Sequence, residues 1–121
     1  RDFTYIDDVI NVIFDLIDKP ALANKSFDKN NPEQSSSWAP YKIYNVGGNK
    51  SISVLTFIKL IEEEVGIKAN KVFYPMQPGD VVETYADTYL IDSEIENECK
   101  TSLKEGIKKF VAWYKDYYNL I

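Results

Sequence analysis

The sequence predicts an α/β protein. Three β-prone runs, "RDFTYIDD", "YKIYNV" and "KVFYPM", alternate with segments of helical periodicity along the 121 residues. A crossover connection between the first two runs would place them in parallel. Hydrophobic residues make up 45% of the chain, which is enough for an ordinary core. We therefore expect a folded unit in which strands and helices alternate.

The first strand and the first helix are predicted within residues 1–20. Aromatic and β-branched residues between positions 3 and 6 favour a short strand. Asp7 or Asp8 is then expected to cap a helix over "VINVIFDLIDK". This helix should end before Pro20, because proline disfavours the helical conformation in the residue before it. Its apolar residues cover a wide arc, which predicts burial against a sheet or cover on two sides.

The middle of the chain continues the alternation. Residues 21–40 are rich in Asn, Ser and Pro and predict a loop. "YKIYNVGGN" follows as the second strand and ends in a turn. Ser51 or Ser53 should cap a second helix over "VLTFIKLIEEEVG", and Gly66 should terminate it.

The last part contains the third strand and two further helices. "KVFYPM" leads into the turn Gln77-Pro78-Gly79-Asp80, and residues 87–97 are predicted to form a short helix. The final helix is the clearest element, because Ser102 and Glu105 form a capping box and apolar residues recur after them at helical spacing.

Composition excludes several classes of function. Fourteen basic and nineteen acidic residues give a net charge of −5, which argues against nucleic-acid and anionic-membrane surfaces. With Cys99 as its one cysteine and no histidine, the chain has neither a disulfide nor a Ser/His or Cys/His catalytic pair. A Cys/His zinc site is excluded for the same reason, and Glu62-Glu63-Glu64 is interpreted as a solvated helix face. We expect no metal site.

The turn at residues 77–80 has two interpretations. Proline fixes φ and glycine admits conformations closed to other residues, so Pro78 and Gly79 define a tight turn that simply reverses the chain. Alternatively, the amide of Gln77 and the carboxylate of Asp80 suit the hydroxyl groups of a ribose. Arg1 likewise is either solvated or, beside a strand, a bidentate phosphate ligand.

Four motifs, in this order, resemble one family. They are "RDFTYIDDV", "YKIYNVGGN", "MQPGDVVETYAD" and "TSLKEGIKKFVAWYKDYY". Together they are similar to the carboxyl-terminal part of the extended short-chain dehydrogenase/reductases of the NAD-dependent epimerase/dehydratase family, most closely the UDP-glucuronate 4-epimerases. The resemblance covers nearly the whole chain. It weakens in the loop and near the carboxyl end, where Glu96 and Cys99 stand in place of the family's glycine and proline.

The resemblance implies a fragment of a Rossmann-type enzyme, mostly its small substrate-binding domain. Residues 1–49 would be a strand, helix, loop and strand bordering the Rossmann domain, and residues 50–121 the carboxyl-terminal lid domain. Arg1 matches the family arginine that contacts the UDP diphosphate. Gln77 and Asp80 match the turn that meets the uridine ribose and phosphate. Gln77 stands where many relatives carry arginine, and "MQPGD" favours the glucuronate branch.

Catalysis in this family needs NAD and a tyrosine–lysine pair. The pair moves the proton of a sugar hydroxyl while hydride passes to the nicotinamide and back. The sequence has no G-x-G-x-x-G loop and no tyrosine four residues before a lysine. We expect these parts to precede Arg1. The parent would then be an NAD-dependent UDP-sugar 4-epimerase, an isomerase, while this fragment has no catalytic residues, binds no NAD and is inactive alone.

Other interpretations stay open. The chain is alternatively a fragment of a related nucleotide-sugar decarboxylase or dehydratase, or a non-catalytic interaction module of the same ancestry. The resemblance implies a cytoplasmic protein of polysaccharide biosynthesis with a UDP-sugar as its partner. Because a fragment of this kind exposes surfaces meant for the absent sheet, we predict a homodimer or a domain-exchanged oligomer.

Overall fold

The computed structural model describes residues 1–95 and 99–120. Within these residues it has four helices joined by extended segments and loops. They are α1 (Ile6–Ile17), α2 (Val54–Val65), α3 (Tyr89–Asp92) and α4 (Leu103–Tyr117). In the described part of the chain, no helix combines the length and the apolar character needed to cross a membrane.

The prediction of three strands is wrong for the described residues. The extended segments form isolated antiparallel bridges only, which join Asp2 to Ser51, Ala23 to Pro40 and Ser36 to Lys42. A strand requires a ladder of backbone hydrogen bonds to a neighbouring strand, and the described β-prone runs form no such ladder with one another. The backbone of the first run bonds to Ile52 instead of "YKIYNV", so the predicted parallel pairing is also wrong.

Helix α1 begins earlier than predicted. Its N-cap is Tyr5, which makes no side-chain capping bond, and the acids expected to cap it lie inside its first turn. The prediction that Asp7 or Asp8 caps α1 is therefore wrong. Asp8 has a distant partner instead, since its carboxylate accepts from the backbone N–H of Thr101 at 3.0 Å and from the Thr101 hydroxyl at 2.7 Å. The helix ends before Pro20, as predicted.

The caps of α2 and α4 are confirmed. The Ser53 hydroxyl accepts from the backbone N–H of Thr56 at 3.1 Å, so Ser53 and not Ser51 is the cap of α2. Gly66 ends that helix in the left-handed conformation, with φ of 80°. The Ser102 hydroxyl accepts from the N–H of Glu105 at 3.2 Å at the start of α4.

Helix α3 spans residues 89–92, which is shorter than the predicted helix over residues 87–97. The chain leaves the helical path at Ser93, whose hydroxyl donates to the carbonyl of Leu90 at 2.7 Å. Such local bonds compete with helix continuation. The end of the predicted helix and the Glu96 departure from the family pattern lie outside the described residues.

The core is small. Val12, Ile91 and Ile95 are buried together, and a second contact packs α2 against α4. The ring of Phe3 stacks on that of Phe57 with centroids 4.3 Å apart. The accessible surface is 9786 Å², whereas a compact monomer of 13.9 kDa has roughly 6,700 Å². Many apolar side chains therefore face solvent, and α1 is covered on one side by the described residues instead of on two.

Candidate functional site

The predicted turn at residues 77–80 is present. The backbone N–H of Asp80 donates to the carbonyl of Gln77 at 3.1 Å, which closes a four-residue turn. Gly79 has φ of +86°. Proline at the second position and a positive φ at the third are typical of a type II turn. The turn holds Asp80 at its exit and leaves Gln77 exposed at its first position.

The Arg1 side chain lies on this turn. Its Nη2 is 2.7 Å from Oδ1 of Asp80, and its Nη1 donates to the carbonyl of Val81 at 2.5 Å. The same Oδ1 accepts from the backbone N–H of Val81 at 2.9 Å. Two bonds thus fix the plane of the guanidinium against the chain just after the turn. Both side chains remain partly open to solvent, Arg1 at 31% and Asp80 at 51%.

Asp2 fixes the backbone beside Arg1. Its two carboxylate oxygens accept from the N–H groups of Gly48 and Ala86, each at 3.1 Å, and its own N–H donates to the hydroxyl of Thr84 at 3.0 Å. Three separate segments meet at this residue. No local sequence pattern indicates a role for Asp2, because its partners are 46 to 84 residues away.

The Gly47–Gly48 pair explains how these segments approach so closely. A Cβ on Gly47 would lie 2.4 Å from the Cβ of Ala86, a distance that real side chains do not reach. A Cβ on Gly48 would lie 3.1 Å from both the Asp2 carboxylate and the carbonyl of Phe3. Glycine is required here for packing.

A buried carboxylate on α2 binds the segment that precedes the turn. Glu62 on α2 is 6% exposed and accepts from the ammonium of Lys71, from the N–H of Ala69 at 2.9 Å and from the ammonium of Lys68 at 3.4 Å. The bond from Lys71 contributes most to lowering the pKa of Glu62 to about 2, against the opposing effect of burial. Residues 68–71 are thereby held against α2, six residues before Gln77. The interpretation of this glutamate as part of a solvated helix face is therefore wrong.

Comparison with known proteins places the chain in a family, although no family model matches it. It is 42% identical over 118 residues to protein CapI of Staphylococcus aureus, and the match covers 98% of this chain and 35% of CapI. It is 34% identical over 119 residues to UDP-glucuronate 4-epimerase 1 of Arabidopsis thaliana, with 98% and 27% covered. The chain belongs to the extended short-chain dehydrogenase/reductase family of epimerases. It spans about a third of the length of these relatives or less.

The fold matches part of a solved epimerase. UDP-glucose 4-epimerase from Bifidobacterium longum, in complex with NAD⁺ and UDP, superposes with a TM-score of 0.72 at 21% identity. The match covers all of this chain and 31% of that one. The predicted resemblance to the carboxyl-terminal part of the epimerase family is confirmed. The predicted fold class is confirmed only through this match, because the matched enzyme is a Rossmann-type protein. The described residues of this chain are themselves helical.

A cavity of about 660 Å³ lies away from the family's turn, between the loop after α1 and the end of α3. The Glu94 carboxylate accepts there from Lys42 and from the Tyr44 hydroxyl. The hydroxyls of Ser35 and Ser36 donate to Glu33 and hold the pKa of its carboxyl below the usual value. These groups are paired with one another, and none of the three predicted site residues lines the cavity.

Proposed function

We propose that this chain is the substrate-binding part of an NAD-dependent nucleotide-sugar epimerase of the UDP-glucuronate 4-epimerase type. In this proposal Arg1 binds the diphosphate of a UDP-sugar, Asp80 accepts from a ribose hydroxyl, and Gln77 adds a neutral amide to the same turn. The fragment supplies contacts to UDP and carries no catalytic residue of its own. Epimerase is preferred to decarboxylase or dehydratase because a relative that matches 98% of the chain is named a UDP-glucuronate 4-epimerase.

The observation that carries the proposal is the contact between Arg1 and Asp80. The family resemblance assigned both residues to the nucleotide independently, and they meet at 2.7 Å although 79 residues separate them in sequence. Guanidinium groups suit phosphate because their planar donors match its oxygens. A guanidinium already fixed by Asp80 and Val81 loses little side-chain freedom on binding, which supports affinity.

NAD belongs to the family's chemistry as the carrier of hydride, but the described residues of this chain do not fit it. Binding the diphosphate of NAD requires a glycine-rich turn between a strand and the amino end of a helix. The glycines here serve other purposes: Gly47 and Gly48 allow close packing, Gly66 ends a helix, Gly79 forms the turn and Gly106 lies against the ring of Tyr5. We therefore assign no step of hydride transfer to these residues.

The test is titration of the chain with UDP, and with uridine in parallel, followed by ¹H–¹⁵N NMR. We expect UDP to shift the resonances of residues 77–81 and of the Arg1 side chain, and uridine to bind more weakly. Asp80→Ala should reduce the affinity about tenfold, which corresponds to roughly 1.4 kcal/mol and is within the range of a charged hydrogen bond.

Asp28→Ala is the matched control. Asp28 is also an exposed aspartate in a turn, where its carboxylate accepts from the N–H of Asn30 at 2.8 Å, but it lies in the loop after α1. Its replacement should leave UDP binding unchanged. The absence of resonance shifts at millimolar UDP, or an equal loss of UDP affinity in both variants, would contradict the proposal. The chain would then be interpreted as an interaction module of epimerase ancestry.

The reaction type requires a full-length protein that contains this sequence. Incubated with NAD and UDP-glucuronate, it should yield the sugar epimerised at C4 with its carboxylate retained. Release of carbon dioxide would instead assign a decarboxylase, and loss of water a dehydratase.

A further inference from the structure

The segment that carries the candidate turn is attached to the rest of the chain at few points. Residues 77–83 are exposed, so packing holds the turn only weakly in this chain. Within the described residues, every hydrogen bond that links residues 77–86 to another part of the chain ends on Arg1 or Asp2. These two residues therefore decide where the turn lies.

Four hydrogen bonds make this attachment, and they are divided equally between the two residues. The guanidinium of Arg1 makes two of them at residues 80–81, directly after the turn. Asp2 makes the other two further along, because its N–H donates to the Thr84 hydroxyl and its Oδ2 accepts from the N–H of Ala86. Asp2 thus holds the segment just beyond the part that Arg1 contacts.

The Asp2 carboxylate is also bound on its other side. Its Oδ1 accepts from the N–H of Gly48 at 3.1 Å, and the backbone of Arg1 exchanges two hydrogen bonds with Ile52, at 2.7 and 2.9 Å. The carboxylate therefore bridges the segment around Gly48 to the segment that carries the turn. Two acceptor oxygens are needed for this bridge, since an amide would turn an N–H donor toward one of the two N–H groups.

The position of the Arg1 guanidinium depends on this bridge. The side chain is 31% exposed, and both of its hydrogen-bond acceptors belong to the turn segment. An arginine side chain is long and flexible, so the backbone at its base and the acceptors at its tip must both be fixed for its fork to match a phosphate. Displacement of such a group by about 1 Å is enough to weaken an interaction that depends on its orientation. Asp2 fixes both ends.

We propose that Asp2 is a positioning residue of the nucleotide site and acts through Arg1 on the diphosphate, a role that rests on the function proposed above. Asp2 touches no part of the ligand. Its carboxylate holds the Arg1 guanidinium and the turn in one arrangement before UDP binds. The nucleoside end depends less on Asp2, because the turn at residues 77–80 is closed by its own hydrogen bond. Loss of the carboxylate should weaken binding of the diphosphate and spare binding of uridine.

Asp2→Asn tests this role, because asparagine has nearly the same shape but one acceptor oxygen instead of two. We expect the affinity for UDP to fall about tenfold and the affinity for uridine to change by less than about twofold. Isothermal titration calorimetry measures both affinities. A residue with a structural role alone would change the two affinities alike.

Asp8→Asn is the matched control. Asp8 is also half-buried, and its carboxylate also accepts two hydrogen bonds from a distant residue, from the N–H of Thr101 at 3.0 Å and from its hydroxyl at 2.7 Å. Both variants should lower the urea concentration at the midpoint of unfolding, but Asp8→Asn should leave the affinity for UDP unchanged. Equal losses of UDP affinity in the two variants would overturn the proposal, because a general loss of stability would then explain them.

A double-mutant cycle with Arg1→Lys shows whether Asp2 acts through the arginine. Each single variant should bind UDP about tenfold more weakly, and the double variant should lose little more than either one alone. Additive losses, about a hundredfold in the double variant, would mean that Asp2 acts independently of Arg1 and would overturn the proposal.

Thr84→Val is a second variant that keeps the Asp2 carboxylate. It removes the hydroxyl that accepts from the N–H of Asp2 and so loosens the same attachment from the other side. Its affinity for UDP should fall about threefold, with the affinity for uridine again unchanged. Loss of affinity for both ligands alike would contradict a role confined to the diphosphate.

NMR of the Arg1 side chain and the UDP titrations together separate this inference from the proposed function. Without ligand, rotation of the guanidinium should be restricted in the wild type and in Asp8→Asn and faster in Asp2→Asn. Unchanged rotation in Asp2→Asn, or UDP binding equal to that of the wild type, would overturn the inference alone. A wild-type chain that binds no UDP would overturn the proposed function and this inference together.

Discussion

Arg1 and Asp80 form an ion pair at 2.7 Å between the beginning of the chain and a turn 79 residues later. Asp2 reinforces this closure, since its carboxylate bonds to the N–H groups of Gly48 and Ala86. The turn itself depends on Gly79. The candidate nucleotide site is therefore a place where distant segments of the chain are tied together.

Arg1→Lys should weaken UDP binding while leaving the fold nearly unchanged. Lysine keeps the positive charge but cannot bond to Asp80 and to the carbonyl of Val81 with the same fixed fork. The pair is partly exposed, so we expect the free energy of unfolding to fall by less than about 1 kcal/mol. UDP affinity should fall about tenfold. Urea unfolding and UDP titration measure the two effects, and a large loss of stability with intact affinity would contradict this role.

Gly79→Ala should destabilise the turn, with Gly66→Ala as the matched comparison. Both glycines have positive φ, +86° and +80°, and a Cβ on either would meet nothing within 4 Å. The cost is therefore conformational, about 1–2 kcal/mol for each. UDP affinity should fall for Gly79→Ala alone, because only this residue shapes the turn beside Asp80. Unchanged thermal stability of Gly79→Ala would show that the turn does not need its left-handed conformation.

Local chemistry made much of this structure predictable. The Ser53 and Ser102 caps, the Gly66 terminus and the turn at residues 77–80 each depend on groups within four residues of one another. Hydroxyl caps and left-handed glycines have the same physical cause wherever they occur, so the sequence pattern is sufficient to predict them. The proposal that Arg1, Gln77 and Asp80 contact UDP depends on the family resemblance as well.

Distant contacts account for the predictions that were wrong. Asp8 has the residue type and the sequence position that favour a helix cap, yet its carboxylate bonds to Thr101, 93 residues away. The β-prone runs have strand-like propensities, but propensity forms a strand only where a second strand lies alongside. Asp2 and the buried state of Glu62 likewise depend on partners that no local pattern identifies.

Gly47→Ala should destabilise the fold more than a substitution at an open glycine. The new Cβ would lie 2.4 Å from the Cβ of Ala86 and 3.0 Å from the Asp2 carboxylate, so one of the segments must move. We expect a loss of about 1–3 kcal/mol, typical of overpacking. Ala86→Gly in the same chain removes the nearer clash and should restore part of the stability. Chemical denaturation of the single and double variants tests this, and an absence of rescue would place the strain elsewhere.

Glu62 should make the fold sensitive to acid. Its pKa is lowered from an ordinary 4.5 to about 2, chiefly by the hydrogen bond from Lys71 and then by that from the N–H of Ala69. A carboxyl whose pKa is lower in the folded state stabilises the fold fully above its unfolded pKa. The contribution is then lost as the pH falls through the folded pKa. The window for Glu62 therefore runs from about pH 4.5 down to about pH 2.

Glu62→Gln isolates this effect from the other acids of the chain. Glutamine cannot bind Lys71 as an anion, so the variant should be less stable at neutral pH, and its curve of stability against pH should approach the wild-type curve toward pH 2. Glu63→Gln is the control, because Glu63 is exposed and lies 3.8 Å from Lys59 in a helical i,i+4 pair. Thermal unfolding across this range should give parallel curves for Glu63→Gln and the wild type. Parallel curves for Glu62→Gln would instead show that the carboxylate does not hold residues 68–71 against α2.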